Sequence, residues 1–306
     1  MPLYGAIEAG GTKFVCAVGT GPEDLRAQAR FPTTTPAETL GKCLDFFGAQ
    51  PKLDALGVGC FGPLELRPGA ARYGFVTTTP KPGWANVDVV GPLHRALGVP
   101  VGFDTDVNAA ALAEARWGAG QGLEALLYVT IGTGIGGGAL IGGELVHGLV
   151  HPEMGHLLLP RELDDLDFAG NCSFHGARCW EGLASGPAME RRWGQRAEAL
   201  PTDHPAWDLQ ARYIASALTT LVVVLSPERL ILGGGVMQAQ QLLPLVRRYL
   251  QRSLGGYVQA DALGTGVEQY VVPPLLGERS GIAGALALAE RAAAQHGGLA
   301  RAAQLS

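Results

Sequence analysis

The most constraining feature of this chain is one pattern that occurs twice. Residues 126–131 (LLYVTI) give its strongest strand signal and run directly into a glycine-rich tip, Gly132-Thr133-Gly134-Ile135-Gly136-Gly137-Gly138. The next residues (ALIGGELVHG) alternate as a second strand, so the embedded GxGxxG lacks the helix that a dinucleotide fingerprint requires. The same arrangement opens the chain. Residues 4–11 (YGAIEAGG) are a short apolar run broken by one acid, and residues 12–19 (TKFVCAVG) return with β-branched and aromatic residues. A Walker loop would need a Gly-Lys-Ser/Thr followed by a helix, and neither is present. The N–H groups of Gly10, Gly11 and Thr12, with the charge of Lys13, can cradle phosphate; an ordinary hairpin turn explains the same residues. Two such hairpins about 120 residues apart imply a duplicated architecture with nucleotide between the halves.

Residues 151–181 hold four groups of metal-ligand character: His156 upstream, then Cys172-x2-His175-x3-Cys179. Two thiolates and two neutral imidazoles balance the charge of Zn²⁺, and a closed set of four protein ligands is how structural zinc is held. A disulfide or two idle buried thiols is the competing explanation. Glu153 and Glu181 lie among these ligands without being needed by the metal. This pattern suggests a zinc-pinned loop whose carboxylates and imidazole face a polyol.

Between the hairpins, strands alternate with helices. Helical spacing covers residues 37–48 after a Pro/Thr-rich connection, and 53–60 (LDALGVGC) reads as a buried strand entering Phe61-Gly62-Pro63. Residues 77–84 (TTTPKPGW) contain two prolines and can be neither helix nor central strand. They are expected to form a loop, and long structured loops often contact ligands. A short helix fits 91–97. The strand 99–103 (VPVGF) ends in Asp104-Thr105-Asp106-Val107-Asn108, ahead of an Ala-rich helix over 109–117. A helix cap needs one such polar residue, and ligands of α/β sheets gather outside the carboxyl ends of strands. Downstream, Ser185-Gly186-Pro187 opens a helix toward Trp193, and 207–225 forms a long apolar helix closed by Ser226-Pro227. Residues 229–232 lead into a third glycine turn (Gly233-Gly234-Gly235-Val236), with a helix expected from Gln238, a strand over 271–276 and a C-terminal helix over 281–294. The order indicates an α/β fold with mixed sheets.

The 306 residues suffice for two domains, each with a sizeable core. A net charge of -5, with 17% of residues charged, offers no basic surface for nucleic acid. Five cysteines, an odd count, and no basic-then-apolar leader or 18-residue apolar span lead to the expectation of a reduced, soluble, cytoplasmic protein without a membrane partner.

GGTK, DTDVNAAALAE, IGTGIGGG, Glu153-Met154-Gly155-His156, CSFHGARCWEG and LGGGV occur here in a family order. Together they resemble the ROK sugar kinases of the sugar kinase/Hsp70/actin superfamily, and the likeness spans nearly the whole chain. EAGGTKF, TTTPKPGW, FDTDVN and HPEMGH are similar to the zinc-containing bacterial fructokinase branch. Position 8 is Glu where many members have Asp, Thr105 stands where glucokinase-like members place a sugar-binding Asn, and His175 where many have a third zinc Cys. The first two depart from a glucose-type hydroxyl pattern. No winged-helix segment precedes the first hairpin, which disfavours the DNA-binding repressors of the same family.

The resemblance implies a duplicated actin-like, ribonuclease-H-like two-domain α/β fold with a cleft. One domain is expected over 1–115, completed by a helix over 284–306, and the other over 116–283, carrying the zinc loop 151–181. It also implies an ATP-dependent hexose kinase, in the first place a fructokinase, with Mg²⁺, structural Zn²⁺ and a homodimeric state. Other hexoses (mannose, glucose, an N-acetylhexosamine) and a catalytically silent sugar sensor are the alternatives. Asp106 is the expected general base and sugar contact, and Glu8 organises Mg²⁺. Gly10, Gly11, Thr12, Lys13, Thr133, Gly134 and Gly136 hold phosphates, while Pro187, Gly233, Gly234, Gly235, Val236 and Met237 border the nucleoside. Gly62, Glu153, His156 and Glu181 meet the sugar, with one ring nitrogen of His156 kept for zinc.

Overall fold

The computed structural model describes residues 2–304, with side chains through residue 297. The chain divides into two compact units. Among the described residues, the first takes positions up to Gly118, the segment Val146–Pro152 and positions from Glu278 onward; the second takes Ala119–Leu145 and Glu153–Gly277. The expected domain boundary after residue 115 thus falls after 118. Residues 146–152 and 278–283, expected in the second domain, belong to the first, because His147 bonds into it and the C-terminal helix packs on its sheet. Residues 305–306 of the expected 284–306 segment lie outside the described residues.

Unit 1 is built on a five-stranded sheet in which the hairpin β1 (Tyr4–Ala9) and β2 (Lys13–Gly21) is extended by β3 (Asp24–Pro32). On its other side β1 is joined by the parallel strands β4 (Ala55–Cys60) and β7 (Val101–Thr105), in the order β3-β2-β1-β4-β7. Strand β3 has no counterpart in the sequence reading. Its sequence, DLRAQARFP, is polar and only partly buried, as suits an edge strand, so it carries little apolar periodicity. The helices α1 (Pro36–Gly48), capped by Thr35, and α2 (Val90–Leu97) enclose one core with Ile7, Phe14, Val58 and Trp84. The other sheet face is covered by α3 (Asp106–Trp117) and the C-terminal helix Ser280–Gln304. A Cβ on Gly57 would lie 1.8 Å from the Ala285 carbonyl oxygen, so only glycine lets that helix sit directly on β4.

Residues 77–84 are a loop as expected, and its last residue explains why it is ordered. Trp84 is fully buried, its ring lies 5.4 Å from those of Phe14 and Phe61, and Nε1 donates to the Thr34 carbonyl at 2.8 Å. A two-stranded ribbon of β5 (Phe75–Val76) and β6 (Val87–Asp88) flanks it.

Unit 2 repeats the plan. Its hairpin β8 (Leu126–Ile131) and β9 (Ile135–Ile141) is extended by β10 (Glu144–Leu145), and β8 is joined by the parallel strands β11 (Arg229–Gly233) and β12 (Val271–Val272). The order β10-β9-β8-β11-β12 matches that of unit 1 position by position. Strand β12 has two residues where 271–276 reads as strand, since Pro273 and Pro274 end the ladder. The helix expected from Gln238 starts at Leu242, after a 3-10 turn over Gly235–Gln238.

Four helices complete the unit around the second sheet: α4 (Trp180–Ala184), α5 (Gly186–Trp193), α6 (Ala206–Leu225) and α7 (Leu242–Leu254), with a single turn, α8 (Val267–Tyr270), before β12. By length and composition α6 could cross a membrane. Twelve of its residues are buried, and it packs on α7 and α4 as a core helix. Behind the metal-ligand segment, Arg192 lies 3.9 Å from the Phe168 ring and makes a bidentate pair with buried Asp165, which also accepts from Tyr213 Oη at 2.7 Å.

Candidate functional site

Parallel pairing sets the first half of the site. Ala9, Cys60 and Thr105 are neighbours in register at the carboxyl ends of β1, β4 and β7. The residues directly after them are the candidate groups: Gly10 to Lys13, Phe61-Gly62-Pro63, and Asp106. Three adjacent strand ends therefore deliver the candidate phosphate hairpin, the Gly62 turn and the candidate base to one edge of one sheet. The hairpin tip is closed by a Gly10 N–H bond to the Lys13 carbonyl at 2.9 Å and braced by Thr33, whose Oγ1 donates to the Gly10 carbonyl at 2.7 Å. Thr12 and Lys13 are exposed there.

Asp106 is the first residue of α3 and is half-buried; its Oδ1 accepts from the Val107 N–H at 2.9 Å. The cap of α3 is Thr105, whose hydroxyl accepts from the Asn108 N–H at 3.1 Å. Neither acid is spent on capping. Asp104, 4% exposed, is a bracing group: Oδ1 accepts from the Thr105 N–H and from Asn108 Nδ2, each at 2.8 Å, and Oδ2 pairs with His147 Nε2 at 2.8 Å. His147 went unnoticed in the sequence, where it appears as an ordinary loop histidine.

Glu8 lies on the sheet face covered by the C-terminal helix, where a Cβ on Gly281 would fall 2.7 Å from its carboxyl carbon. Burial raises the Glu8 pKa, against the lowering influence of Lys13 and Arg30, while Glu278 adds to the rise. A desolvated carboxylate beside this glycine hairpin is a group that gains from a nearby cation.

In unit 2, Gly132 bonds across its own tip to the Gly134 carbonyl at 2.9 Å, and the Gly186 N–H at the start of α5 donates to the Gly132 carbonyl at 2.7 Å. Gly233 is in register with Thr130, so the third glycine turn leaves the sheet beside the hairpin tip. Gly234 holds φ at 93°, and a Cβ there would lie 2.4 Å from the Ile131 carbonyl oxygen, so no other residue fits. The hairpin (Thr133, Gly134, Gly136), the α5 start with Pro187, and the turn Gly233 to Met237 are brought together. Gly186 was missed as a participant, although its place at a helix N-terminus was readable.

Glu181, in the first turn of α4, accepts from the Ile135 N–H at 3.0 Å and thereby supports this second tip. It also acts on Glu153. Desolvation by the surrounding protein raises the pKa of the Glu153 carboxyl even though the residue keeps solvent-exposed surface; His156 opposes the rise and Glu181 adds to it. Glu153, His156 and Glu181 are thus one electrostatic group.

The candidate metal centre is assembled from three turns. Nδ1 of His156 is 3.9 Å from Cys172 Sγ and 3.7 Å from Cys179 Sγ, and Cys172 Sγ is 3.7 Å from His175 Nδ1. All four ligand atoms lie within 4.8 Å of one another. Tetrahedral Zn²⁺, at about 2.3 Å from sulfur and about 2.0–2.1 Å from nitrogen, needs edges of about 3.3–3.8 Å, so the donor set fits the ion with little movement. Burial, as the first cause, pushes the Cys179 thiol up to about 12, and a bound metal would displace that proton. All five cysteines are buried free thiols, Cys172 and Cys179 among them.

Known proteins resemble this chain over most of its length. A fructokinase of Zymomonas mobilis subsp. mobilis is 46% identical over 294 residues, covering 94% of this chain and 96% of that protein. A fructokinase of Pediococcus pentosaceus is 43% identical, covering 95% and 98%. Among solved structures, a ROK family glucokinase from Streptomyces griseus in complex with glucose and AMPPNP superposes with a TM-score of 0.73 at 26% identity, covering 94% of this chain and 99% of that one. A ROK hexokinase from Thermus thermophilus gives 0.70 at 29%, covering 94% and 98%. Residues 4–292 match the model described as the ROK family. With two sheets of identical strand order, each presenting a glycine hairpin and a parallel-strand turn at one edge, the chain belongs to the ROK family.

Proposed function

We propose that this ROK sugar kinase is a fructokinase, transferring the ATP γ-phosphoryl group to the 6-hydroxyl of D-fructose. The observation that carries the mechanism is the placing of Asp106 at the end of β7, with its turn braced from both sides by Asp104. Phosphoryl transfer asks a protein for alignment, charge neutralisation and a base for the attacking hydroxyl. Asp106 accepts the hydroxyl proton as the oxygen attacks. The N–H groups of Gly11, Thr12, Thr133 and Gly134, with Lys13, hold phosphate oxygens, and Glu8 is the residue that would organise Mg²⁺ through its waters. When bound with the nucleotide, Mg²⁺ supplies neutralisation of the phosphate charge. Pro187 and the turn Gly233 to Met237 border the nucleoside.

Glu153, His156 and Gly62 orient sugar hydroxyls, and Glu181 does so indirectly by fixing the second tip. His156, Cys172, His175 and Cys179 would hold Zn²⁺, which would supply a cross-link between the 153–156 turn and the start of α4. Fructose as the substrate follows from the relatives named for it and from Glu8 and Thr105, which depart from the glucose-type pattern. Coupled ADP release over a panel of fructose, mannose, glucose and N-acetylhexosamines, with Mg-ATP, tests the reading. Fructose should give the highest kcat/KM; preference for another hexose would replace the substrate, and no turnover with any would remove the kinase assignment for this chain.

A further inference from the structure

The segment Val146–Pro152 leaves β10 and precedes the Glu153 turn, yet it belongs to unit 1. Its start is tied there by a bond from His147 Nε2 to Asp104 Oδ2 at 2.8 Å. Asp104 is buried, and its Oδ2 is paired with His147. The other Asp104 oxygen grips Thr105 and Asn108, the residues on either side of the Asp106-Val107 pair. Asn108 is itself fully buried, and its Nδ2 also lies 3.4 Å from His147 Nε2. His147 is 41% exposed and so does not serve as core filling.

We propose that His147 is a positioning residue for phosphoryl transfer: by donating to Asp104 it holds the β7–α3 turn in the one arrangement that aims Asp106 at the sugar hydroxyl. The proposal rests on Asp106 being the base. Its physical ground is that a buried carboxylate deprived of one donor must find another or move. The available movement is that of the turn carrying Asp106, and misplacement of a reacting group by about 1 Å costs roughly 10²-fold in rate. The requirement is for a donor at the Nε2 position, which the glutamine amide nitrogen reproduces and leucine does not.

The test compares His147→Leu, His147→Gln, Asp106→Asn and Asp104→Asn in the full-length protein, with fructose and ATP as probes. Melting temperature confirms that each variant is folded. For His147→Leu, kcat should fall about 10–100-fold with KM for fructose and ATP changed less than about threefold, and His147→Gln should recover most of the loss. In a double-mutant cycle, His147→Leu added to Asp104→Asn should cost much less than in the parent, since both remove one interaction. Parental kcat in His147→Leu beside a crippled Asp106→Asn overturns the proposal alone. So does a rise in fructose KM at constant kcat, which would make His147 a sugar contact. Near-parental activity of Asp106→Asn overturns the base assignment on which it rests.

Discussion

At the scale of single residues, two carboxylates separated by one position do different work, and burial tells them apart. Asp104 has both oxygens committed inside the protein, while Asp106 opens α3 half-buried. Asp106→Asn keeps the shape and loses the base, so turnover should drop about 10²–10⁴-fold while calorimetric affinities for fructose and nucleotide change far less. Undiminished turnover would place the base elsewhere. Asp104→Asn puts an amide among donors and should act through the turn, with a milder loss of rate and a lower melting temperature. Glu8 makes a second residue-scale prediction. Because burial raises its pKa in the folded state, the protonated form is the one the fold favours, and stability associated with it is lost as pH rises from the ordinary carboxylate range through the raised value. Glu8→Gln should therefore raise the melting temperature at neutral pH, with a gain that shrinks toward pH 4, while weakening Mg²⁺-dependent turnover. An equal shift at both pH values would contradict this. The identities of these acids were legible in the sequence, and their division of labour was only partly so, because the His147 contact spans 43 positions.

At the scale of elements, the parts readable from sequence are those whose chemistry is local. The metal segment needed only ligand spacing, and the fold brings its four donors within a few ångströms. If it holds structural zinc, one ion should copurify per chain, and Cys172→Ser or Cys179→Ser should lose it together with fructose affinity. Loss of such an ion forfeits on the order of 10 kcal/mol of apparent binding energy, so hydrogen exchange in the 151–181 segment should rise first. An active, metal-free preparation would count against the assignment. The loop over 77–84 was legible as a loop from its prolines, but its anchor was not, since Trp84 finds Phe14, Phe61 and the Thr34 carbonyl only in three dimensions. Trp84→Ala should cost about 3–5 kcal/mol in denaturant unfolding; a loss below about 1 kcal/mol would mean the loop is held by other contacts. Strand β3 escaped because an edge strand needs no apolar face, and β12 was overextended because its apolar run continues past the point where proline removes the ladder donors.

At the scale of the whole molecule, the twice-used hairpin carried the reading. A glycine tip between two strands, found at both ends of a long interval, indicated duplication, and both sheets indeed share one strand order. What the repeat could not disclose is the exchange of segments: residues 146–152 and the C-terminal helix belong to unit 1, with the His147–Asp104 bond holding the one and a glycine-lined helix seat receiving the other. In each unit the strand ends gather the candidate groups at one sheet edge, and the roles proposed for them, phosphate donors and one base, are those that phosphoryl transfer to a hydroxyl requires. The direct measurement is phosphorus and proton NMR of the product formed by the purified protein from D-fructose and Mg-ATP. Fructose 6-phosphate should appear in step with ADP and should not form with Asp106→Asn on the same time scale. Phosphate on another hydroxyl, or ADP release without a phosphorylated sugar, would contradict the placing of Asp106 against the 6-hydroxyl.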